Sequence, residues 1–194
     1  MGRLLNIVIS LIGLILLSPV LSVVALFVKM HDGGPVTYRA KRVGIRGAIF
    51  DLHKFRTMVP NANKMGGGIT VLGDKRVTPI GRFLRKYKLD ELPQLFNVLK
   101  GDMSFVGPRP EDPRYVERYT PEQREVLSVP PGITSPASLH FRNEEALLSG
   151  GDWESKYIEQ ILPRKLAMEL EYFPSRSLGG DVRIIIRTLG GILK

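Results

Sequence analysis

Hydrophobic residues are concentrated near the amino terminus, where residues 4–28 (LLNIVISLIGLILLSPVLSVVALFV) carry no charge. At 1.5 Å per helical residue, this run is long enough to cross a bilayer. Pro19 predicts a kink, because proline removes one helical hydrogen bond and clashes with the preceding turn. Two arrangements fit the pattern: a single spanning helix, and a re-entrant helix that bends at Ser18 and Pro19 and returns to the same membrane face.

The next pattern is β-type alternation, which predicts a hairpin over residues 34–58 with PVTYRA and AIFDLHKFRTM as its strands. Gly44 and Gly47 fall in the predicted turn. Residues 61–70, which contain MGGGIT, predict a mobile loop that lacks the Gly-Lys-Ser/Thr of a Walker phosphate-binding loop. The segment PIGRFLRKYK (79–88) predicts a basic amphipathic helix that begins at its proline.

A further helix is predicted to begin near Asp90, since apolar residues recur at helical spacing from Leu92 to Leu99 and Gly101 supplies a stop. Residues 111–150 contain many prolines and are predicted to be rich in loops. A helical stretch from Trp153 to Phe173 follows, interrupted by a proline. The tail 181–194 (DVRIIIRTLGGILK) suits a membrane surface, and equally a helix docked on the core.

Charge is distributed unevenly along the chain, whose formal net charge is +9. Residues 39–88 hold 13 lysines and arginines against two aspartates. Such a field attracts phosphate groups on a nucleotide, a nucleic acid or an anionic lipid. Cysteine is absent, which excludes disulfides, a thiol nucleophile and cysteine-ligated zinc. With only three scattered histidines, a metal ion would have to be a hard cation held by oxygen.

Candidate chemistry lies in LDELPQLFNVLKGDMSFVGPRP (89–110), where two adjacent acids follow the basic segment. Asp90 fits an ordinary helix N-cap, and a carboxylate placed there would remain ionised. It also fits a nucleophile toward phosphorus, with Glu91 as a base or metal partner. Arg85 lies just upstream, and Arg109 is held between two prolines, which suits bidentate binding of phosphate.

Five motifs together resemble the bacterial sugar transferases, the monotopic polyprenol-phosphate phosphoglycosyl transferases. They are the apolar segment with its Ser-Pro, KFRTM (54–58), the long motif over 89–110, PGIT (131–134) and SLGGDVRIIIRTL (177–189). The resemblance covers nearly the whole chain. It implies transfer of a sugar 1-phosphate from a UDP-sugar to a polyprenol phosphate, undecaprenyl phosphate in bacteria, with release of UMP and the start of glycan assembly.

The resemblance also implies roles for particular residues. Asp90 becomes the nucleophile and a Mg²⁺ contact, and Glu91 the second member of an Asp-Glu dyad with a less defined role. Arg85 and Arg109 match arginines that bind substrate phosphate. Ser18 and Pro19 become the hinge of a re-entrant helix. Possible contacts to the donor are Lys54, Arg56, Thr134 and Arg142.

For the architecture, the expectation is an α+β fold. It would be mainly helical and membrane-associated, with a small β-hairpin and amphipathic interfacial helices. Residues 1–30 would form the re-entrant membrane helix, and residues 31–194 a catalytic domain that makes one structural unit with it. Both ends would then lie at the cytoplasmic face of the bacterial inner membrane, where the basic block would meet anionic lipid.

Three departures from the family pattern leave the transferred sugar open. Asn6 stands where many relatives carry an acid. The usual Arg-Pro-Gly-Ile-Thr-Gly is here Pro-Pro-Gly-Ile-Thr-Ser over 130–135, and PASLHFRNEE follows it at 136–145. The alternative function is a membrane-anchored basic binding or scaffold protein without catalysis. Nucleic acid is not an expected partner, since no aromatic-rich RNA motif or zinc module is present. The oligomeric state and the glycan pathway are not predicted.

Overall fold

A computed structural model describes residues 2–62, 65, 70–149 and 151–192. The ten α-helices of these residues are α1 (Arg3–Asp32), α2 (Pro79–Lys86), α3 (Gln94–Lys100), α4 (Pro113–Val116), α5 (Pro121–Arg124), α6 (Pro136–His140), α7 (Glu144–Leu147), α8 (Trp153–Lys156), α9 (Leu162–Tyr172) and α10 (Leu178–Ile192). The strands are β1 (Thr37–Val43), β2 (Ile49–Phe55), β3 (Ser104–Val106) and β4 (Gly132–Thr134). The predicted α+β class is confirmed. The glycine-rich part of the predicted loop at 61–70 lies outside the described residues.

The apolar helix α1 continues through Pro19 as one helix. Proline cannot donate to the carbonyl of Ile15 one turn earlier, and the Ser18 hydroxyl donates to that oxygen instead, at 2.8 Å. The Ser-Pro pair is therefore tolerated within the helix because serine replaces the missing donor. Only 11% of the most apolar 18-residue window of this helix is buried, and the helix is long and apolar enough to cross a membrane.

Both ends of α1 are attached to the same folded body. Near its amino terminus, Arg3 donates to the backbone oxygens of Val98 and Leu99, the latter at 2.6 Å. At its carboxyl end, Asp32 forms an ion pair with Arg56 beyond β2. The body therefore contacts α1 near both of its ends.

The predicted hairpin is confirmed as an antiparallel pair of β1 and β2, with Thr37 opposite Phe55 and Val43 opposite Ile49. Asn97 of α3 is fully buried against it. Its side-chain nitrogen donates to the Asp51 carbonyl at 2.7 Å, and its side-chain oxygen accepts from the His53 amide at 3.0 Å. These bonds satisfy edge groups of β2 and fix α3 against the hairpin.

A second, parallel pair of short strands, β3 and β4, brings two glycines into contact. A Cβ built on Gly132 would lie 2.0 Å from the amide nitrogen of Gly107. The Gly107 amide donates to the Thr134 carbonyl, and the Gly132 amide donates to the Pro108 carbonyl. Only glycine permits such a close approach of two backbones. The position of the backbone that leads to Arg109 is thereby fixed.

Between residues 111 and 150 the prediction of loops was wrong in part, since α4, α5, α6 and α7 lie there. The first three each begin with a proline at the first turn, and each is capped by the side chain of the preceding residue, namely Asp112, Thr120 or Ser135. Proline suits the first helical position because the amide hydrogen that it lacks would be unpaired there. The prolines that indicated loops therefore begin short helices.

The carboxyl-terminal helices cover the largest of three hydrophobic clusters, which is centred on Tyr157, Leu148 and Leu162. A π-helical segment, Tyr157–Ile161, precedes Pro163. The proline is accommodated there, and the helical stretch continues through it. The tail helix α10 docks on the body through Thr188, whose hydroxyl lies 2.6 Å from that of Thr134 in β4. At its start, the fully buried Asp181 pairs with Arg176, which donates to the Val106 carbonyl of β3 at 3.1 Å. The apolar residues of α10, namely Leu178, Val182, Ile186 and Leu189, remain exposed. Docking of the tail is thus confirmed, and its contact with a membrane stays a prediction.

Replacing Gly132 with alanine is expected to destabilise the protein by about 3 kcal/mol or more, because the added methyl group would overlap backbone atoms that cannot move aside. Thermal unfolding of detergent-solubilised protein measures the effect. Gly179→Ala is the matched control, since a Cβ there meets nothing within 4 Å. Equal melting temperatures for the two variants would contradict this account of the strand pair.

Candidate active site

The acidic pair lies in a tight turn between α2 and α3. Lys88 adopts a left-handed backbone conformation with φ 54°, and a 3₁₀ turn over Leu89–Glu91 follows. A non-glycine residue in this region of φ/ψ is strained, and such strain is found preferentially at functional sites. The turn directs Asp90 and Glu91 inward.

Asp90 is buried, with 6% of its surface exposed, and its Oδ1 atom has no hydrogen-bond partner. It does not cap a helix: no side-chain cap is formed at the 3₁₀ turn or at the start of α3. The interpretation of Asp90 as an ordinary N-cap is therefore wrong. A buried carboxylate oxygen without a donor is costly for folding. Its presence favours a functional role over a structural one.

Glu91 joins two cationic side chains. The Lys54 ammonium lies 3.0 Å from its Oε1 atom. Arg109 donates to both carboxylate oxygens, at 2.7 Å and 3.4 Å. The carboxylate of Glu91 is thus shared by β2 and by the segment after β3. Its negative charge is compensated within the site.

The two neighbouring acids have opposite pKa shifts. Burial raises the pKa of Asp90, and the Glu91 charge adds to this effect against the opposing charges of Lys54, Arg85 and Lys88. Burial acts the same way on Glu91, but Arg109 and Lys54 hold the pKa of Glu91 well below its usual range. Two carboxyls whose environments separate their pKa values are typical of catalytic pairs.

Arg85 extends the cationic side of the site. Its Nε donates to the Thr57 hydroxyl at 2.9 Å, and one terminal nitrogen donates to Glu145 at 3.1 Å. Thr57 fixes the guanidinium on the folded body, whereas Glu145 is half exposed and lies on the short helix α7. A phosphate group could replace such a carboxylate as the acceptor of that bond.

All of these residues line one open cleft of about 1930 Å³. The acids and cations just described are part of its lining. Apolar residues of α1 and α10 line it as well, namely Leu5, Ile9, Leu17, Val182, Ile186 and Leu189. The cleft therefore combines charged side chains, suited to phosphate, with apolar side chains, suited to hydrocarbon.

The remaining predicted donor contacts, Arg56, Thr134 and Arg142, also line this cleft. Thr134 is buried, and its hydroxyl lies 2.6 Å from that of Thr188 on α10. Arg142 is exposed. Arg56 is engaged at the end of α1 by its pair with Asp32. Ser18, by contrast, lies outside the cleft lining, as does Pro19.

The donor set is compatible with Mg²⁺ held mainly by substrate. Among the described residues no group of three or more histidine, cysteine, aspartate or glutamate side chains is arranged to hold a metal. Glu91 is engaged by two cations, which leaves the unpartnered Oδ1 atom of Asp90 as the available carboxylate oxygen of the pair. Magnesium is commonly held by one or two carboxylates together with substrate phosphates and waters. Asp90 fits that pattern.

The site places a buried carboxylate beside several cationic side chains, and the apolar helix α1 is long enough to cross a membrane. Comparison with known proteins gives the class directly: residues 1–194 match the bacterial sugar transferase family. The chain belongs to this family and is a transferase.

Three curated relatives show what the chain is similar to. It is 35% identical over 194 residues to the UDP-glucose:undecaprenyl-phosphate glucose-1-phosphate transferase of Caulobacter vibrioides, covering 98% of this chain and 69% of the relative. It is 40% identical to the undecaprenyl-phosphate galactose phosphotransferase of Salmonella typhimurium, covering 99% of this chain and 40% of the relative. It is 35% identical to the UDP-N-acetylgalactosamine-undecaprenyl-phosphate N-acetylgalactosaminephosphotransferase of Aeromonas hydrophila, covering 97% of this chain and 42% of the relative. The chain therefore spans only part of these relatives.

Sequence reasoning missed several residues that shape the site. Asn97 fixes the helix that follows the dyad, and Glu145 accepts a hydrogen bond from the Arg85 guanidinium. Glu169 of α9 is also buried, and its Oε1 atom accepts from the Ser135 hydroxyl, which in turn caps α6. Asn97 lies within the long family motif, but its residue type alone indicated no contact. Glu145 and Glu169 gave no signal, because both contacts join residues distant in sequence.

A change of pH should alter stability through Glu169, since burial raises its pKa to about 7 against the hydrogen bond from Ser135. Between pH of about 4.5 and 7 the unfolded chain releases this proton while the folded protein keeps it. Relative to Glu169→Gln, the wild type should therefore lose stability as pH rises through this window. The loss should be about 3 kcal/mol at most.

Thermal unfolding across the pH series checks this prediction. Glu171→Gln, at an exposed glutamate on the same helix, is the control and should follow the wild type. A constant difference in melting temperature between wild type and Glu169→Gln would show that Glu169 titrates alike in both states.

Proposed function

We propose that this protein transfers a sugar 1-phosphate from a UDP-sugar to a polyprenol phosphate, undecaprenyl phosphate in bacteria, and releases UMP. The observation that carries the proposal is the buried Asp90 carboxylate, whose Oδ1 atom has no hydrogen-bond partner, in a cleft lined by both cationic and apolar side chains. Relatives named for glucose, galactose and N-acetylgalactosamine phosphate transfer to undecaprenyl phosphate support the same reaction class. The product would start the assembly of a bacterial glycan.

The reaction proceeds in two displacements at the phosphorus linked to the sugar. A carboxylate oxygen of Asp90 attacks this phosphorus, the bond to the UMP oxygen breaks, and UMP leaves with that electron pair. A phosphate oxygen of the polyprenol phosphate then attacks the same phosphorus and displaces the Asp90 carboxylate. The product is a polyprenol-diphosphate sugar, and the carboxylate is regenerated.

The other residues neutralise and orient the diphosphate. Arg85 and Arg109 carry fixed guanidinium groups that can bind phosphate oxygens in the bidentate manner. Glu91 positions Arg109 and Lys54, and its low pKa keeps it ionised for that purpose. Mg²⁺, if held by Asp90 and the substrate phosphates, would offset the negative charge of the donor's diphosphate and of the departing UMP.

Membrane placement follows from the exposed apolar face of α1 and from the attachment of both its ends to one body. A re-entrant helix hinged at Ser18 and Pro19 would keep both ends at the cytoplasmic face. The basic segment would then lie against anionic headgroups. In this arrangement the dyad lies near the interface, where the phosphate of a polyprenol phosphate is found.

Removal of the nucleophile tests the mechanism. Asp90→Asn is expected to lower UMP release by at least about 1000-fold, because an amide cannot form the acyl phosphate. Glu91→Gln should leave a reduced rate or a trapped intermediate. The assay measures UMP from a panel of UDP-sugars with magnesium, with and without polyprenol phosphate, and mass spectrometry searches for the phosphosugar adduct on Asp90.

Asp51→Asn is the matched control, because Asp51 pairs with exposed Lys41 on the hairpin, away from the cleft. It should release UMP at the wild-type rate. Wild-type activity in Asp90→Asn would refute the covalent mechanism. Lipid-independent release would indicate hydrolysis of the nucleotide sugar, and no release with any donor would favour a binding or scaffold role.

Pro19→Ala tests the topology, since it restores the amide donor to Ile15 and should straighten the helix. We expect the amino terminus of the wild type to be labelled from the cytoplasmic side by a membrane-impermeant reagent, and that of the variant to be protected. Protection of the wild-type terminus would indicate a spanning helix. Equal labelling of both proteins would show that the proline does not set the bend.

A further inference from the structure

A second polar cluster lies in the cleft beyond Arg109, on the helices of the carboxyl-terminal half. The Lys165 ammonium, on α9, donates to Glu144 of α7 at 2.6 Å. Its side chain is only 10% exposed. The Tyr157 hydroxyl donates to Glu111, and the Lys165 nitrogen lies 5.3 Å from the centroid of the Tyr157 ring. Four polar side chains from three segments therefore meet at one place.

All four residues line the same cleft as the dyad. Glu111 follows Arg109 by two positions, and Glu144 and Glu111 both help to raise the pKa of Arg109, after the larger effect of Glu91. The cluster thus lies within electrostatic range of the guanidinium that contacts the dyad.

The cluster is built in a way that packing alone does not require. A buried Lys-Glu pair gains little stability over an apolar pair of the same volume, because both ions lose their hydration. Tyr157 also begins the π-helical segment Tyr157–Ile161, and such segments occur frequently at functional sites. Both features favour recognition of a ligand over simple stabilisation.

We propose that Lys165 and Glu144, supported by Tyr157 and Glu111, bind the hydroxyl groups of the donor's sugar and select among sugars. This inference rests on the proposed function and assigns the sugar end of the donor to these residues. Two carboxylates disfavour a phosphate group at this place by like-charge repulsion. A sugar hydroxyl both donates and accepts, which matches a cluster that offers carboxylate acceptors and ammonium donors.

The experiment measures dissociation constants in the full-length Asp90→Asn background, so that the donor is not consumed. The ligands are UDP, UDP-glucose and UDP-galactose, which differ in the presence of the sugar and in the configuration of one hydroxyl. Lys165→Met and Glu144→Gln are each expected to weaken the preferred UDP-sugar by at least about tenfold. The dissociation constant of UDP itself should change by less than about twofold, and the ratio between the two sugars should move toward one.

Glu154→Gln is the matched control, because Glu154 also accepts from a tyrosine, Tyr115 at 3.1 Å, but does not line the cleft. It should leave all three constants unchanged. Glu144→Gln retains an acceptor for Lys165, so its fold should be preserved, which thermal unfolding verifies. Parallel weakening of UDP and both sugars would overturn the proposal, since it would assign the cluster to the nucleotide or to folding.

Unchanged constants in both variants would overturn it as well. Failure of the proposed function has a different signature: the Asp90→Asn protein would then bind neither UDP nor either UDP-sugar, and the parent chain would release no UMP. If every variant binds UDP and has the same dissociation constant for both UDP-sugars, only the assignment of sugar recognition to this cluster would be contradicted.

Discussion

The site depends on one carboxylate with two cationic partners. Glu91 is separated from Lys54 by 37 residues and from Arg109 by 18, and its ion pairs bring the hairpin and the Gly-Pro-Arg-Pro segment to the same turn. Without this negative charge, Lys54 and Arg109 would face each other unpaired in a partly desolvated site, which is strongly unfavourable. Glu91 therefore makes it possible to concentrate positive charge at the place where the proposed reaction requires a diphosphate to bind.

That pairing also determines what Asp90 can do. Because Glu91 accepts the hydrogen bonds from Lys54 and Arg109, the Oδ1 atom of the neighbouring Asp90 is left without a hydrogen-bond donor. Burial raises the pKa of Asp90, so its anion is less stabilised than one in water, and in the proposed mechanism it has more to gain from forming a bond to phosphorus. Two adjacent acids thus acquire different tasks from their surroundings: one organises charge and the other is left free to react.

The sequence predicted features that depend on neighbouring residues, and it failed where distant residues decide. The apolar helix, the hairpin and the helix at Pro79 follow from periodicity and turn chemistry, and their positions agree with the structure. The prolines that begin α4, α5 and α6 were misinterpreted, because a first-turn proline and a loop proline have the same sequence context. Asp90 was open to interpretation as an N-cap, since no local pattern reveals that its oxygen would be buried without a donor.

The membrane helix is joined to the elements that supply the site. Arg3 caps the end of α3, whose start follows the dyad, and Asn6 donates to Ser104 at the beginning of the strand that leads to Arg109. At the other end, Asp32 holds Arg56, which follows the strand of Lys54 by one residue. A change in how α1 lies in a bilayer would therefore be transmitted to residues that line the cleft. In the proposed reaction lipid and nucleotide sugar meet at one phosphorus, and this coupling then gives a physical reason for building the anchor into the site instead of attaching it through a flexible linker.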